Sequence, residues 1–273
     1  MTSEQSLPAT GDECLPPHRA WPLVSVIVAT YHRATLLRRA LDSVLAQTLH
    51  NIEVWVIHDG PSDPESAKVY EEYYEKFEDA GIDFFAVDSD EHTGYYTYPR
   101  NVATENCRGV YVANLDDDNE WMPTALADLL AAMEEGEMWP DLVYGRRTYV
   151  LDEGAPEKHG NIDLKALEGD SQYVEWDALA QLRLAGNKPM YNFIDSSDFL
   201  VSKGALYRLA AATGHIWNDE ARRFGDFWLV SDGLLAGGWR FKGLDKIVQK
   251  YHITGDNVSL NRPVHERPQE VKG

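Results

Sequence analysis

Between residues 20 and 120, apolar positions gather into short runs separated by longer amphipathic stretches. "LVSVIVA" (23–29), "IEVWVI" (52–57), "IDFFAV" (82–87) and "VYVANL" (110–115) are nearly continuous apolar runs, as expected of strands buried on both faces. Between the first two, "ATLLRRALDSVLAQTL" repeats Leu37, Leu41, Val44 and Leu45 at helical spacing, with Arg38, Arg39 and Asp42 between them. After the turn "HDGPSDP", a helix is predicted with Ala67, Tyr70, Tyr74 and Phe77 inward and glutamates outward, and residues 100–107 read as a short helix. Strand–helix alternation at this spacing predicts right-handed βαβ units and a parallel sheet covered on both faces. Ligands of such sheets bind beyond the carboxyl ends of the strands, so the turns after Ala29, Ile57 and Leu115 should share one cleft.

The second half is less regular. "DLVYGRRTYVL" (141–151) predicts a strand, and residues 155–192 mix loop with short helix. "SSDFLVSKGALYRLA" predicts a strand running into a helix, "GDFWLVSDGLLAGG" a further helix, and "WRFKGLDKIVQKYHI" strand-like pieces. No internal repeat and no linker rich in Gly, Ser or Pro divides the chain.

Composition narrows the function classes. Among 273 residues, 25 basic side chains face 45 acidic ones, a formal charge of −20, which opposes a phosphate-tracking nucleic-acid binder. An anionic substrate stays compatible, because a few local cations or a metal can reverse the field of one cleft. The two cysteines, Cys14 and Cys107, imply no disulfide framework. The N-terminal residues hold no apolar signal region and no run approaches the roughly 20 residues that span a bilayer, so the expectation is a soluble, cytoplasmic protein.

Three clusters carry candidate chemistry. Asp116, Asp117 and Asp118 follow the fourth apolar run directly. They read either as hard oxygen ligands for Mg2+ or Mn2+ or as the acidic start of the helix in "DNEWMPTALADLLAAM". Asp59 closes the second strand, either as a turn aspartate bonding its own backbone or as an acceptor for a ligand's imide or hydroxyl group. Arg100 and Asn101 open a helix, and read either as an anion site made by a guanidinium and free N–H groups or as an ordinary surface arginine with its neighbour.

Together these segments resemble the family 2 glycosyltransferases of the GT-A fold. "VSVIVATYHRATLLRRALDSVLAQTLHNIEVWVIHDGPSD" is similar to that family's opening strand–helix–strand, "PRNVA" to its "ARN" helix entrance, and "YVANLDDDNEWMP" to its Asp-x-Asp motif. "FGDFWLVSDGLLAGGWRF" and "YHITGDNVS" resemble its later motifs, so the likeness runs from about Pro22 to Leu260. The fold implied is α/β, a mainly parallel Rossmann-like sheet flanked by helices, with a smaller mixed half on the acceptor side. Residues 1–20 would form a flexible tail, 21–260 one domain (21–120 the nucleotide-sugar half, 121–260 the acceptor half), and 261–273 a C-terminal tail.

The resemblance implies an inverting, metal-dependent transfer of a sugar from a nucleoside-diphosphate sugar, UDP-linked by preference, to a hydroxyl acceptor. Thr30, Tyr31 and Arg33 would line the nucleotide pocket, Asp59 would accept from the base, and Arg100, Asn101 and Asp117 would complete the donor contacts. Asp118 would ligate Mn2+ or Mg2+ with Asp116 nearer the sugar, although Asp117 and Asp118 are also compatible as the working pair. Asp226 matches the catalytic base. Two positions depart from the family: Gly225 replaces the first acid of its Glu-Asp pair, and Thr254 stands at its histidine, leaving His252 as an alternative metal ligand two residues away. Asp195, Ser196, Ser197 and Trp228 are acceptor-side candidates, and Tyr95, Tyr96, Tyr98, Trp176 and Trp217 join Trp228 as aromatics suited to sugar faces. Acceptor classes left open are sugars, lipid-linked glycans, small molecules and proteins, with a homodimer compatible. The competing readings are a sugar nucleotidyltransferase, which the glycine-free "ATYHRATLL" disfavours, and a catalytically weak nucleotide-sugar-binding protein.

Overall fold

Strand β1 (Val24–Thr30) shows how the chain builds its core: successive side chains point to opposite faces, and both faces are apolar. Val26 and Val28 enter one buried cluster, while Ile27 enters the other. The structure, a computed structural model, describes residues 21–136, 139–159, 162, 163, 165, 171, 172, 194–220 and 225–254.

Helix α1 (Ala34–Leu45) buries Leu37, Leu41 and Val44 against the first cluster, as its spacing predicts. β2 (Ile52–His58) leads to α2 (Pro64–Asp79), whose N-terminus is capped by Asp63 through Glu65 N–H at 2.9 Å and Ser66 N–H at 3.1 Å. The buried face of α2 is Ser66, Val69, Tyr73 and Phe77; of the expected stripe Phe77 is buried, Tyr70 packs half-buried against the core, and Tyr74 does not turn inward. Tyr74 is exposed, because Tyr73 turns inward and donates its hydroxyl to Asp42 at 2.6 Å. Two adjacent tyrosines look alike in a periodicity count, and only that partner separates them.

β3 (Asp83–Asp88), α3 (Thr97–Asn106) and β4 (Tyr111–Asp116) complete a parallel half in which β1 pairs with both β2 and β4. The chain then adds β5 (Glu120–Trp121), α4 (Ala125–Glu134) and the long β6 (Leu142–Leu151). Short pairs follow: β7 (Lys158–His159) with β8 (Ile162–Asp163), and β9 (Ser171–Gln172) with β6. The remainder of the segment expected to mix loop and short helix lies outside the described residues, as does Trp176. β10 (Phe199–Ser202), α5 (Lys203–Thr213), α6 (Gly225–Leu235) and β11 (Phe241–Ile253) finish the fold.

The nine-stranded sheet runs β3-β2-β1-β4-β10-β6-β11-β5, with β9 beside β6. β10 is antiparallel to both neighbours, so the sheet is parallel in its first half and mixed in its second. The strand-like pieces near the end are one strand, β11, broken in register between Gly243 and Gln249. Among the described residues, no helix is long and apolar enough to cross a membrane.

Candidate functional site

The parallel strands β1, β2 and β4 end side by side, and side chains at the end of β1 and just beyond it meet those just beyond β4. Thr30, ending β1, donates its hydroxyl to Asp117 Oδ2 at 2.7 Å. Arg33, in the following loop, reaches Asp117 Oδ1 at 2.8 Å and Asp118 Oδ2 at 3.1 Å. Arg39 on α1 donates to the Asp118 carbonyl at 2.6 Å. The three aspartates are not a helix start, since α4 begins only at Ala125.

Asp116 faces the other side of the sheet. It is ion-paired with Arg100, accepts from Ser196 Oγ at 3.2 Å, and its N–H donates to Ser197 Oγ at 3.0 Å. Arg100 is fully buried, with Tyr96 on one side (4.1 Å from guanidinium carbon to ring centroid) and Trp217 near by (4.8 Å). Its Nε and Nη1 have no hydrogen-bond partner among the described residues. A buried guanidinium with donors to spare suits an anionic ligand.

Burial and mutual repulsion hold Asp116 and Asp118 above the ordinary carboxylate range. Burial first, then Asp195, pushes Asp116 up to about 6 despite Arg100. Burial, then Asp117 and Asp116, pushes Asp118 up to about 7 despite Arg33. The cluster is short of positive charge and offers hard oxygen donors, a combination that fits Mg2+ or Mn2+.

Asp59 is already engaged. Oδ1 accepts from Thr93 N–H at 2.9 Å and Thr93 Oγ1 at 3.0 Å, while Oδ2 accepts from Gly94 N–H at 2.7 Å and lies 3.0 Å from His92 Nδ1. Those bonds fix the 92–94 turn, which lays His92 on the Tyr31 ring at 3.9 Å between centroids, opposite His32 at 4.0 Å. His32 takes the left-handed conformation, φ 51°, and its N–H donates to His58 Nε2 at 3.2 Å. His58 Nδ1 lies 2.8 Å from the Gly60 carbonyl, so Nδ1 carries the proton. Among the described residues, the one trio of His, Cys, Asp or Glu ligand atoms drawn together is His32, His58 and Asp63; the lone pair of His58 Nε2 is spent on that N–H.

Several expected contacts are directed elsewhere. Both ends of the Asn101 amide bind the Trp217 backbone, at 2.8 and 3.0 Å, so this side chain ties a loop to α3. Asp195, Ser196 and Ser197 are buried: Asp195 caps the turn Ser196–Asp198, and the two serines brace Asp116. Trp217 is buried against Arg100, Trp228 and Tyr98 are half-buried, and the Tyr95 carbonyl accepts from Thr93 Oγ1 at 3.0 Å. His252 is held between two carboxylates, Asp152 at 2.6 Å and Glu120 at 2.9 Å, and its N–H donates to Asn119 at 3.0 Å. Asp152 also pairs with Arg39 at 2.7 Å, so His252 is tied into a network of side chains at the end of β11. Thr254 is buried two residues on.

Asp226 lies in the first turn of α6, buried, with the Tyr96 hydroxyl 3.4 Å from Oδ1. Through Tyr96 and Arg100 it joins the same cleft as Asp116. Arg147, buried on β6 and ion-paired with Asp198, carried no sequence signal, and Tyr96, expected as an aromatic for a sugar face, instead lies against the Arg100 guanidinium.

Comparison with known proteins bears on the same region. The family model described as Glycosyl transferase family 2 matches residues 25–212. A GalNAc(5)-diNAcBac-PP-undecaprenol beta-1,3-glucosyltransferase of Campylobacter jejuni is 30% identical over 165 residues, covering 58% of this chain and 48% of the relative. The chain spans less than half the length of that protein and of several other curated relatives that it matches. S. aureus TarS 1-349 in complex with UDP-GlcNAc superposes with a TM-score of 0.57 at 18% identity, over 84% of this chain and 58% of that one. The mannosyltransferase PcManGT of Pyrobaculum calidifontis, in complex with GDP-Man and Mn2+, gives 0.58 at 19% identity, over 87% and 59%. At such identities the structural likeness speaks to fold.

Proposed function

The chain belongs to glycosyl transferase family 2, and from that premise we propose that it moves a sugar from a UDP-sugar to a hydroxyl acceptor with inversion at the anomeric carbon. Its fold is the GT-A glycosyltransferase fold, and the relatives are glycosyltransferases. The observation that carries the reading is the convergence of Asp116, Asp117 and Asp118 with Arg33, Arg100 and Asp226 at the carboxyl edge of the parallel strands.

Asp118, with Asp116, would hold Mn2+ or Mg2+, which supplies Lewis-acid stabilisation of the departing diphosphate. Arg100 contributes the unspent guanidinium donors that an anionic donor requires. Arg33 and Thr30 keep Asp117 oriented beside them. Tyr31 offers the nucleobase an aromatic face once His92 or His32 yields it. Asp226 takes the proton of the acceptor hydroxyl as that oxygen bonds to the anomeric carbon, while the carbon–oxygen bond to the diphosphate breaks and its electron pair leaves with the nucleoside diphosphate. One carboxylate acting on the acceptor side suits a single displacement, hence inversion.

Purified protein incubated with UDP- and GDP-sugars and Mn2+ or Mg2+ should release nucleoside diphosphate, fastest from a UDP-sugar. No release from any donor, with no donor binding by calorimetry, overturns the reading; pyrophosphate release instead would mean nucleotidyl transfer.

A further inference from the structure

Gly225 precedes Asp226 at a point where a side chain has no room. A Cβ built there would lie 2.6 Å from Thr97 Cγ2 and 3.0 Å from Tyr96 Cε2. The first contact is closer than real Cβ atoms come, so position 225 is glycine because Tyr96 and Thr97 fill the space. The Tyr96 hydroxyl accepts from Gly225 N–H at 3.1 Å and donates to Asp226 Oδ1 at 3.4 Å. The same ring covers the guanidinium of Arg100, which is ion-paired with Asp116.

We propose that Tyr96 is the positioning residue of the acceptor side: its hydroxyl orients Asp226, in place of the carboxylate that Gly225 lacks, and its ring couples that base to the donor-side Arg100. The inference rests on the glycosyltransferase reading for the role of Asp226, and on this chain's own contacts for the rest. One side chain contacts the first turn of α6, the base and the cation under the aspartates. The Asp226 contact is long for an O–H···O bond, as a catalytic hydrogen bond is before substrate closes on it. Burial, with Asp226 next, holds the phenol well above its ordinary range, so the hydroxyl keeps the proton it donates. Glycine at 225 and the Tyr96–Thr97 pair form one unit, since a larger residue at 225 must displace the Thr97 methyl group and crowd the ring.

The test is Tyr96→Phe, which keeps the ring on Arg100 and leaves Gly225 its space. With the UDP-sugar and Mn2+ that wild type turns over, kcat should fall about tenfold or more from misplacement of the base, while the donor Kd by calorimetry stays within about twofold. Gly225→Ala should lower kcat in the same direction, because its methyl group displaces Thr97 and crowds the Tyr96 ring against Asp226. A wild-type kcat for Tyr96→Phe, or a donor affinity that falls as far as kcat, overturns the proposal. If wild type turns over no donor, the functional reading fails, and the coupling is read from thermal unfolding of Tyr96→Phe, Asp226→Asn and the double variant. Non-additive losses then support the Tyr96–Asp226 bond, and additive losses refute it.

Discussion

Arg33 and Asp117, 84 residues apart in the chain, meet at 2.8 Å and close the end of β1 onto the end of β4. The same guanidinium nitrogen reaches Asp118 at 3.1 Å, so one cation serves two crowded carboxylates. Burial and the carboxylates pull the guanidinium in opposite directions, and the carboxylates prevail: Arg33 is held charged above its ordinary range.

Removing that cation should destabilise the protein in a way a divalent ion reverses. Arg33→Met loses charge-assisted hydrogen bonds worth about 2 kcal/mol, or about 4–8 °C in Tm for a domain of this size. Differential scanning fluorimetry with and without Mn2+ measures it. The variant should gain more from Mn2+ than wild type does, because the ion replaces the missing positive charge. Equal gains would show that Arg33 is not the counter-charge of the cluster.

Stability should also fall as pH rises toward neutrality. Asp116, Asp118 and Asp198 are held near 6, 7 and 7, each raised above the value of 3.8 that an unfolded chain shows, burial being the first cause in every case. A raised acid binds its proton more tightly in the folded state, so the folded protein keeps protons that the unfolded chain has released, and stability drops from about pH 4 to about pH 7. Thermal melts without metal should give a higher Tm at pH 5.5 than at pH 8. Asp118→Asn should flatten that slope; an unchanged or inverted slope contradicts the charge crowding.

The parallel half was legible because β1, β2 and β4 are buried on both faces and read as nearly unbroken apolar runs, whereas β3, at the sheet edge, exposes its last residues in spite of its apolar sequence. The order of the cleft-lining turns followed from topology rules alone. The second half was not legible to the same degree. β11 mixes exposed Asp245 and Lys246 with buried Val248 and breaks register twice, which erases the period-two signal. Chemistry-bearing residue types stand out in a sequence, but their partners do not. Asp59 is recognisable as a strand-end acid, yet only the folded chain reveals that its lone pairs are spent on Thr93 and Gly94. Ser196 and Ser197 likewise pass for ligand contacts until their hydroxyls are found bracing Asp116.

If Asp226 is the base and Asp118 the metal-side carboxylate, their variants should fail differently. Asp226→Asn should lower kcat by about 10²–10⁴, the usual worth of a general base, with donor affinity retained. Asp118→Ala should instead abolish the Mn2+ dependence of donor binding seen by calorimetry. Wild-type turnover by Asp226→Asn, or Mn2+-dependent donor binding by Asp118→Ala, would contradict the assignment of that residue.

Asp59 holds the 92–94 turn against Tyr31, so its loss should be felt there first. Asp59→Ala removes the acceptor for two backbone N–H groups, Thr93 at 2.9 Å and Gly94 at 2.7 Å. Amide hydrogen exchange at those two residues should quicken by tenfold or more, at about 1.4 kcal/mol per tenfold, while β1 and β4 keep wild-type protection. Unchanged exchange at Thr93 and Gly94 would mean that the turn holds without the carboxylate.

Arg147 and Asp198 form a buried ion pair beneath the turn whose serines brace Asp116, so their energetics should reach the cleft. Arg147→Met leaves Asp198 buried without its cation, a loss of about 3–5 kcal/mol where the carboxylate stays charged. Protonation offers an escape. Asp198 is already raised to about 7 with Arg147 opposing the shift, so losing Arg147 raises it further and the acid holds its proton through neutrality. The Tm deficit of Arg147→Met should therefore be larger at pH 8 than at pH 5.5. Adding Asp198→Leu to Arg147→Met should recover most of it, since an apolar pair of similar volume replaces a buried ion pair at little cost. A deficit independent of pH and not relieved by Asp198→Leu would mean that Arg147 acts through packing on Tyr251, whose ring centroid lies 5.8 Å away, and not through Asp198.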